Sequence, residues 1–398
     1  MLSKCAQIAG CHLYFGFVLK KYHNLDNSHY VAIIFGTRPE IIKLSPIYNA
    51  LADCSAVDVQ CIFTGQQKDL APEFLSEFAI PISRELAVMR AGQSLGKLMS
   101  NLISALDDEF STRRPRKVIV QGDTNTALAG AIVANLHQIS VLHVEAGLRT
   151  FDPLSPFPEE TNRKLISQLA SHHFAATDDN KQNLLKEGIA PENISVTGNP
   201  IVDIVKATIR NLDHSPKLKL LLEQIDTRKL IVLTAHRREN FDFRMAQYFK
   251  VINNFLNDHP EFSMVAPVHP NPSASQIITN SFADNDRVHL IEPLGYRDFI
   301  SLLVRANLIV SDSGGIQEEA ATINRQLIVL RETTERPEAI DCGIAKLAPT
   351  SDSLRQLLSE VVANEKSTIL PIRQPNPFGD GESGRIIAEK ISRLLASP

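Results

Sequence analysis

The sequence predicts an α/β protein with two doubly wound parallel sheets. Runs of apolar, β-branched residues alternate with amphipathic segments along almost the whole chain of 398 residues. Continuous apolar strands separated by helices are typical of parallel sheets that are covered on both faces. A long polar, charge-mixed region at 206–228 follows VTGNP (196–200) and divides the strands into two groups. The order β, α, β, α within each group therefore favours two doubly wound units.

Ten strands are predicted, five in each group. The first group is VAIIF (31–35), VQCIF (59–63), KVIVQ (117–121), SVLHV (140–144) and ISV (194–196). The second group is KLIVLT (229–234), SMVAPV (263–268), HLI (289–291), LIVS (308–311) and LIVL (327–330). We expect Rossmann-like domains at 31–200 and 201–375, with an amphipathic helix within 376–398 that packs across their boundary. Because open parallel sheets bind ligands at the carboxyl ends of their strands, a binding cleft between the two domains is predicted.

The composition is that of an ordinary globular protein and limits the classes of partner. Hydrophobic residues make up 43% and charged residues 22%, which is enough for a substantial core. The net charge of -4 and the lack of a basic run argue against a nucleic-acid partner. The five cysteines are scattered without CxxC spacing, which indicates reduced thiols, no zinc site and a cytoplasmic location.

The first 30 residues contain a mostly apolar stretch that is short for a membrane span. They are predicted to be a poorly ordered extension, with a short anchor or docking helix as the alternative. No membrane segment is predicted for the two domains.

The first predicted strand runs into FGTRPEIIK (35–43), which places two cations near the start of a helix. Gly36 permits a tight turn, and Pro39 suits the first turn of a helix. Arg38 and Lys43 could bind a phosphate-bearing ligand or form salt bridges with nearby acids, and the motif alone leaves both open. No GxGxxG follows this strand and no GxxxxGK[ST] occurs, so nicotinamide and P-loop chemistry have no support and no cofactor is expected.

The segment SDSGGIQEEA (311–320) predicts an anion site. Ser313, Gly314 and Gly315 follow a strand and lead directly into a helix. Backbone N–H groups at a helix N-terminus, with no Cβ to obstruct them, can bind a diphosphate. Glu319, one turn further, could accept hydrogen bonds from ribose or sugar hydroxyls. The alternative is an ordinary serine N-cap whose glycines serve a tight turn.

A second segment with charged residues, RETTERPE (331–338), follows the next predicted strand. Arg336 in this segment is placed to meet the same phosphates, because the two strands are adjacent in the chain. This coincidence favours the ligand site over the serine N-cap.

Four residues that could carry protons lie at predicted strand ends or helix starts. Asp123 follows one strand, Glu145 ends the next, Glu159 opens a helix, and His236 follows a strand of the second group. Singly, Asp123 could be an N-cap, Glu159 an ordinary acid in a first helical turn, and the histidine structural. Together they predict a catalytic set. Because no HExxH, DxD or other ligand spacing occurs, no metal is expected.

The motifs occur together in the order known from one family. FGTRPEIIK, QGDTNTALAG, HVEAGLRT, PFPEETNR, VTGNP, AHRREN, VHPNP and SDSGGIQEE with RETTERPE resemble the non-hydrolysing UDP-N-acetylglucosamine 2-epimerases. The resemblance implies a glycosyltransferase-B-like fold, usually in a homodimer. It also implies interconversion of UDP-N-acetylglucosamine and UDP-N-acetylmannosamine in the cleft, without a cofactor.

The resemblance also implies a role for each candidate residue. The implied catalytic set is Asp123, Glu145, Glu159 and His236. The implied substrate contacts are Arg38, Lys43, Arg163, Phe299, Ser313, Gly314, Gly315, Glu319 and Arg336, with Phe299 near the uracil. A regulatory site is implied at Gln66 and Arg237, but TGQQ stands where the family usually has TGQH, so Gln67 puts that regulation in doubt.

Such a reaction would need several acids. The hydrogen on the second sugar carbon is not acidic, so inversion without a redox cofactor requires loss of UDP from the neighbouring carbon, formation of a glycal, and return of UDP. Proton carriers are then needed on both faces of the ring, and cations stabilise the departing UDP.

Other functions remain open on sequence grounds. A hydrolysing epimerase would release free N-acetylmannosamine, and a relative could act on a diacetamido uronic acid sugar nucleotide. A glycosyltransferase would share the SGG helix but would not need the acids. A non-catalytic sensor of UDP sugars would retain the cations and lose the proton carriers.

Overall fold

The computed structural model describes residues 30–54, 57–67, 71–90, 92–212, 214–225, 228–235, 243–268, 272–363 and 375–396. Residues 1–29 of the predicted extension, as well as His236 and Arg237, lie outside these ranges. No helix in the described ranges is long and apolar enough to cross a membrane.

Seven parallel strands form the first sheet. They are β1 Tyr30–Phe35, β2 Asp58–Phe63, β3 Arg84–Glu85, β4 Lys117–Gln121, β5 Ser140–Ala146, β6 His172–Ala175 and β7 Ile194–Val196. The accompanying helices are α1 Arg38–Ala52, α2 Ala71–Glu77, α3 Leu95–Thr112, α4 Asn125–Leu136, α5 Glu159–Leu169 and α6 Asp178–Lys186, with a 3₁₀ turn at Pro191–Asn193. The strand order β3-β2-β1-β4-β5-β6-β7 reverses direction between β1 and β4. A crevice at that reversal is the usual ligand site of such sheets.

Six parallel strands form the second sheet, after the helices α7 Pro200–Arg210 and α8 Pro216–Ile225. The strands are β8 Lys229–Thr234, β9 Phe262–Pro267, β10 Val288–Ile291, β11 Leu308–Ser311, β12 Leu327–Val329 and β13 Ala345–Leu347. The helices are α9 Phe243–Asp258, α10 Pro272–Phe282, α11 Tyr296–Arg305, α12 Gly315–Ile323, α13 Pro337–Asp341, α14 Ser351–Ala363 and α15 Ser383–Ala396. The order β10-β9-β8-β11-β12-β13 reverses between β8 and β11.

The predicted fold class is confirmed, and ten of the thirteen strands in the described ranges were predicted. The three that were missed carry weak signals: β3 has only two residues, both exposed, β6 reads HHFA, and β13 reads AKL. The region at 206–228, predicted only as a polar separator, contains the end of α7 and the whole of α8. Their apolar residues are spaced to bury one face of each helix.

Residues of β1 alternate between two hydrophobic cores. Val31, Ile33 and Phe35 enter one core, and Ala32 and Ile34 enter another. This is the pattern expected of a strand that is covered by helices on both sides. The first of these cores continues without interruption to residues of β8, β11 and β12, so the two sheets share packed apolar side chains.

The final helix, α15, packs against α1 of the first sheet. The carboxylate of Asp203 accepts hydrogen bonds from the backbone N–H groups of Ser383, at 3.2 Å, and Gly384, at 2.9 Å. These are orphan donors of the first turn, so the Asp203 side chain from α7 caps the helix. The domain limits at 200 and 375 remain a prediction.

Candidate active site

The candidate residues meet where the carboxyl edges of the two sheets face each other. Gly36 and Asp123 follow β1 and β4, the strands that flank the reversal of the first sheet, and Glu145 lies near the end of the next strand, β5. Ser313 follows β11 of the second sheet, and Arg336 follows β12. Because parallel strands end at one edge, the topology gathers residues that are far apart in the chain.

Glu145 is held at the centre of this site. Glu145 is only 6% exposed, and its carboxylate accepts hydrogen bonds from Lys43, Gln121 and Asn199, the last at 3.1 Å. Arg336 lies 3.4 Å away through Nη2. Burial pushes the pKa of Glu145 upwards, but the charges of Lys43 and Arg336 outweigh it and lower the pKa to about 2. Glu145 is therefore an ionised group that is tied to two cations.

The backbone of Glu145 lies in the left-handed region, with φ of 62°. Such a conformation is uncommon for a residue with a Cβ and costs of the order of 1 kcal/mol or more. The register between β5 and β6 shifts at this position, between Val144 and Ala146. The irregularity turns the Glu145 side chain out of the strand and towards the cations.

Glu318 of α12 shares those cations from the opposite sheet. Lys43 Nζ lies 3.1 Å from Glu318 Oε2, and Arg336 Nε donates to Glu318 Oε1 at 2.6 Å. Glu335 also accepts from Arg336. Burial raises the pKa of Glu318, while the two cations oppose that shift. The alternative of salt bridges to acids thus holds for Lys43 in this structure.

Asp123 is paired with Arg163 of α5. Arg163 Nε donates to Asp123 Oδ2 at 2.8 Å, and Nη2 lies 2.6 Å from the same oxygen. The Asp123 side chain is 24% exposed, so it still reaches the cleft. Asp123 is not the N-cap of α4, because Thr124 takes that role by accepting from Ala127 N. The N-cap alternative for Asp123 is therefore wrong.

Glu159 is the first residue of α5 and is partly buried. It follows a loop at 151–157 whose side chains Phe151, Leu154 and Phe157 are exposed by 54–74%. The next residue, Glu160, is fully buried. The two neighbouring glutamates therefore differ in burial, with Glu159 partly buried and Glu160 fully buried.

The SGG segment opens α12 as predicted, without a serine cap. The N-cap is Gly314, no side chain caps the helix, and Ser313 N donates to Ser311 Oγ at 2.9 Å. A Cβ on Gly314 would lie 2.6 Å from Glu335 Oε1 and 2.7 Å from Arg336 Nη1, so a side chain there would displace these two groups. The serine N-cap alternative is wrong, and the helix terminus offers its N–H groups beside Arg336.

Glu319 and Phe299 lie on helices of the second sheet, α12 and α11. Tyr296 OH donates to Glu319 Oε1 at 3.0 Å, and burial raises the pKa of Glu319 to about 7. Phe299 lies one turn after Tyr296 on α11 and is partly buried.

Arg38 and Gln66 lie on the first sheet's side. Arg38 is placed over the ring of Phe74, with Cζ 4.9 Å from the centroid, and its backbone N–H donates to Gln67 Oε1 at 3.0 Å. Gln66 Oε1 accepts from Thr126 Oγ1 at 2.9 Å. Arg237, the other predicted regulatory residue, and His236 lie outside the described ranges.

Metal ligands were not expected, and the described ranges hold no group of three or more histidines, cysteines, aspartates or glutamates that could bind a metal ion. His143 of β5 is buried, and its Nε2 lies 2.8 Å from Gly122 O. Burial lowers its pKa to about 4, so it is neutral at physiological pH.

This arrangement can be compared with known proteins. Residues 49–392 match the family model described as UDP-N-acetylglucosamine 2-epimerase. The chain belongs to the UDP-N-acetylglucosamine 2-epimerase family. The enzyme of that name from Bacillus subtilis strain 168 is 40% identical over 362 residues, which is 91% of this chain and 94% of that one. The resemblance read from the motifs is confirmed, and so is the epimerase class.

Solved structures of this epimerase family share the fold. The crystal structure of UDP-GlcNAc 2-epimerase from Neisseria meningitidis, bound to UDP-GlcNAc, is 35% identical with a TM-score of 0.85 and covers 92% of this chain and 100% of that one. The enzyme from Methanocaldococcus jannaschii, in complex with UDP-GlcNAc and UDP, is 33% identical with a TM-score of 0.81, covering 93% and 100%. The paired parallel sheets described above are therefore the architecture of the family.

Several residues of this epimerase site were not singled out from the sequence. They are Gln121, Asn199, Tyr296, Glu318 and Glu335, each in contact with a candidate residue. Gln121 and Asn199 lie in the quoted motifs QGDT and VTGNP. Their positions at a strand end and at a helix start could have identified them as site residues. Glu318 could have been found as the neighbour of Glu319.

Proposed function

We propose that this protein reversibly converts UDP-N-acetylglucosamine into UDP-N-acetylmannosamine by elimination and re-addition of UDP through a glycal. The observation that carries the proposal is the position of Asp123 and Glu145 at the carboxyl ends of the neighbouring strands β4 and β5, with Glu159 opening the helix whose Arg163 pairs with Asp123. The cations Lys43 and Arg336 lie beside them, together with the N-terminus of α12.

The diphosphate of the substrate would bind at Lys43, Arg336 and the N–H groups of Gly314 and Gly315. These groups would stabilise the negative charge that develops on UDP as it leaves the anomeric carbon. Their effect would be strong because the donors are already in position in a water-poor site and need not reorient during the reaction. They would also retain UDP until it returns.

Binding of the diphosphate would change the state of Glu145. Lys43 and Arg336 hold the pKa of Glu145 at about 2, which is too low for it to carry a proton at neutral pH. If the phosphates draw these cations away, burial is left as the dominant influence and the pKa rises. Substrate binding would thus convert Glu145 from an ion-pair partner into a proton carrier.

Protons must be moved on both faces of the sugar ring. We assign this to Asp123, Glu145, Glu159 and His236, since a single group cannot serve both faces. Arg163 would orient Asp123, with which it shares two contacts at 2.8 Å and 2.6 Å.

The nucleoside would lie on the second sheet. Glu319 would accept hydrogen bonds from ribose hydroxyls, and Phe299 would contact the uracil ring. Arg38 would bind phosphate or nucleotide from the other side of the cleft.

The proposal extends to assembly and location. A homodimer is expected, with a mass about twice 44.1 kDa in solution, which sedimentation equilibrium would measure. A cytoplasmic location is also proposed, from the scattered cysteines.

The test is a proton NMR time course of the purified protein with UDP-N-acetylglucosamine in heavy water. The expected result is the UDP-linked manno isomer with deuterium at the second sugar carbon, without any added cofactor. Free N-acetylmannosamine would instead establish a hydrolysing enzyme. A bound but unchanged substrate would leave a sensor and contradict the proposal.

A further inference from the structure

We propose that Glu160 is a positioning residue for the reaction, in that its carboxylate fixes the two candidate acids Asp123 and Glu159 relative to each other. This inference rests on the proposed function, because it concerns the same proton carriers. Glu160 itself is fully buried and does not face the cleft.

Three donors from two parts of the chain converge on the Glu160 carboxylate. Oε2 accepts from Thr150 N at 3.0 Å and from Arg163 Nη1 at 3.1 Å. Oε1 accepts from Phe151 N at 3.1 Å. Because ionised acceptors make the stronger hydrogen bonds, this carboxylate is a firm tie between α5 and the loop that follows β5.

Arg163 links that tie to Asp123. Its guanidinium is a planar fork, with Nε and Nη2 directed at Asp123 Oδ2 and Nη1 directed at Glu160. Because the guanidinium is bonded to Asp123 on one side and to Glu160 on the other, its plane is fixed. The Asp123 carboxylate is held in position with it. Arg163 is 4% exposed, so water is a poor substitute for either partner.

The same residue anchors the start of α5. Glu159 is the first residue of α5 and directly precedes Glu160. The N-cap of α5 is Pro158, and no side chain caps the helix. The Glu160 carboxylate, which accepts from the backbone amides of Thr150 and Phe151, holds this helix end against the loop together with the bond from Glu160 N to Pro156 O at 3.0 Å. The spacing between Glu159 and Asp123 therefore depends on a residue that touches neither the cleft nor the substrate.

The decisive variant is Glu160→Gln, which keeps the shape and removes the charge. All three groups around the carboxylate are donors, so any orientation of the amide sets its NH₂ against at least one of them. We expect kcat for UDP-N-acetylglucosamine to fall by about 100-fold, the loss that a misplacement of about 1 Å can cause. We expect KM, and the Kd of UDP from calorimetry, to stay within about 3-fold, because UDP is bound by other residues.

A matched control is Glu109→Gln. Glu109 is also buried and accepts from an arginine, Arg84 Nε at 3.0 Å, but it lies on α3, which carries none of the candidate site residues. This variant is expected to lose thermal stability while its kcat stays within about 3-fold of the wild type.

Glu160→Asp provides a second test should Glu160→Gln fail to fold. It keeps the charge but withdraws the oxygens by about 1.5 Å, one C–C bond, so it cannot reach Arg163 and both loop amides at once. A fall in kcat of about 10-fold with unchanged UDP affinity is expected.

The outcomes separate this inference from the function on which it rests. An active wild type together with folded Glu160 variants of wild-type kcat would overturn the positioning role alone. The same is true if kcat and UDP affinity fall in proportion, since that indicates a general structural defect. A wild type and a Glu109→Gln variant that both fail to turn over the substrate would overturn the proposed function and this inference with it.

Discussion

Glu145 combines three features that a residue serving only the fold would not need together. It is buried, its backbone is left-handed, and its charge is balanced by cations that the substrate is proposed to require. Uncommon backbone conformations persist where the surroundings over-determine them, and they cluster at functional sites. Here Gln121 and Asn199 fix the oxygens, and Lys43 supplies the charge.

Replacing single carboxyl or imidazole groups tests the catalytic assignment of individual residues. Asp123→Asn, Glu145→Gln, Glu159→Gln and His236→Asn are each expected to lower kcat by about 100-fold or more, because each is assigned a proton transfer. UDP binding, measured by calorimetry, should remain. Full activity in all four variants would remove the catalytic assignment.

Glu319 gives a prediction about pH. Its pKa is about 7 in the folded protein, against 4.5 for an ordinary glutamate, so the fold favours the protonated form. The stability this confers is fully present below pH 4.5 and is lost as the pH rises towards 7, by about 3 kcal/mol at most. The glutamine in Glu319→Gln does not titrate. The free energy of unfolding of this variant should therefore rise relative to that of the wild type as the pH increases from 5 to 8.

The measurement is urea unfolding at several pH values, and Glu192→Gln serves as the control because Glu192 is exposed. The control should run parallel to the wild type at every pH. A Glu319→Gln curve that also runs parallel would show that this carboxyl does not titrate in that window.

At the scale of helices and strands, local signals predicted well where they were complete. Helix α1 begins with Thr37 as N-cap, Pro39 in the first turn and Glu40 closing a capping box, and all three could be read from GTRPE. Helix α15 differs, because its cap is Asp203, 180 residues away from Ser383. A cap supplied at such a distance leaves no local pattern in the sequence.

The packing of α15 on α1 yields a stability prediction. A Cβ on Gly384 would lie 2.7 Å from backbone and side-chain carbons of Pro46, closer than atoms can pack. Gly384→Ala is therefore expected to destabilise the protein by about 1–3 kcal/mol. Gly96→Ala on α3 is the control, since a Cβ there meets no described atom within 4 Å. Urea unfolding of both variants would measure the difference, and equal stabilities would contradict the packing argument.

At the scale of the whole molecule, ionic contacts join the two halves across the cleft. Lys43 forms an ion pair with Glu318, and Arg336 forms one with Glu145. Arg163 lies 3.8 Å from Glu335. Buried ion pairs add little net stability, but losing one partner leaves a buried charge. The cleft thus holds its own charges in balance until a diphosphate takes over the cations.

Arg336→Met tests this balance. It should destabilise the protein by about 3–5 kcal/mol, because carboxylates are left unpaired around the site. The double variant Arg336→Met/Glu318→Gln should recover part of that loss, since one of those charges is removed with its partner. The measurement is a double-mutant cycle by urea unfolding at pH 7. Strict additivity of the single variants would show that the two residues do not interact.

The sequence by itself determined that the chain forms two parallel sheets, and it identified the motifs that end their strands. It did so because apolar periodicity and strand-end residues such as Asp123 and Glu145 are local signals. Only the tertiary structure decided which residues pair: Arg336 reaches Glu145 across 191 positions of sequence, and Glu318 shares Lys43 from the opposite sheet. Glu160 appeared in the sequence as a second acid beside Glu159. Its burial and its bonds to the 150–151 loop depend on packing between elements, which no local pattern encodes.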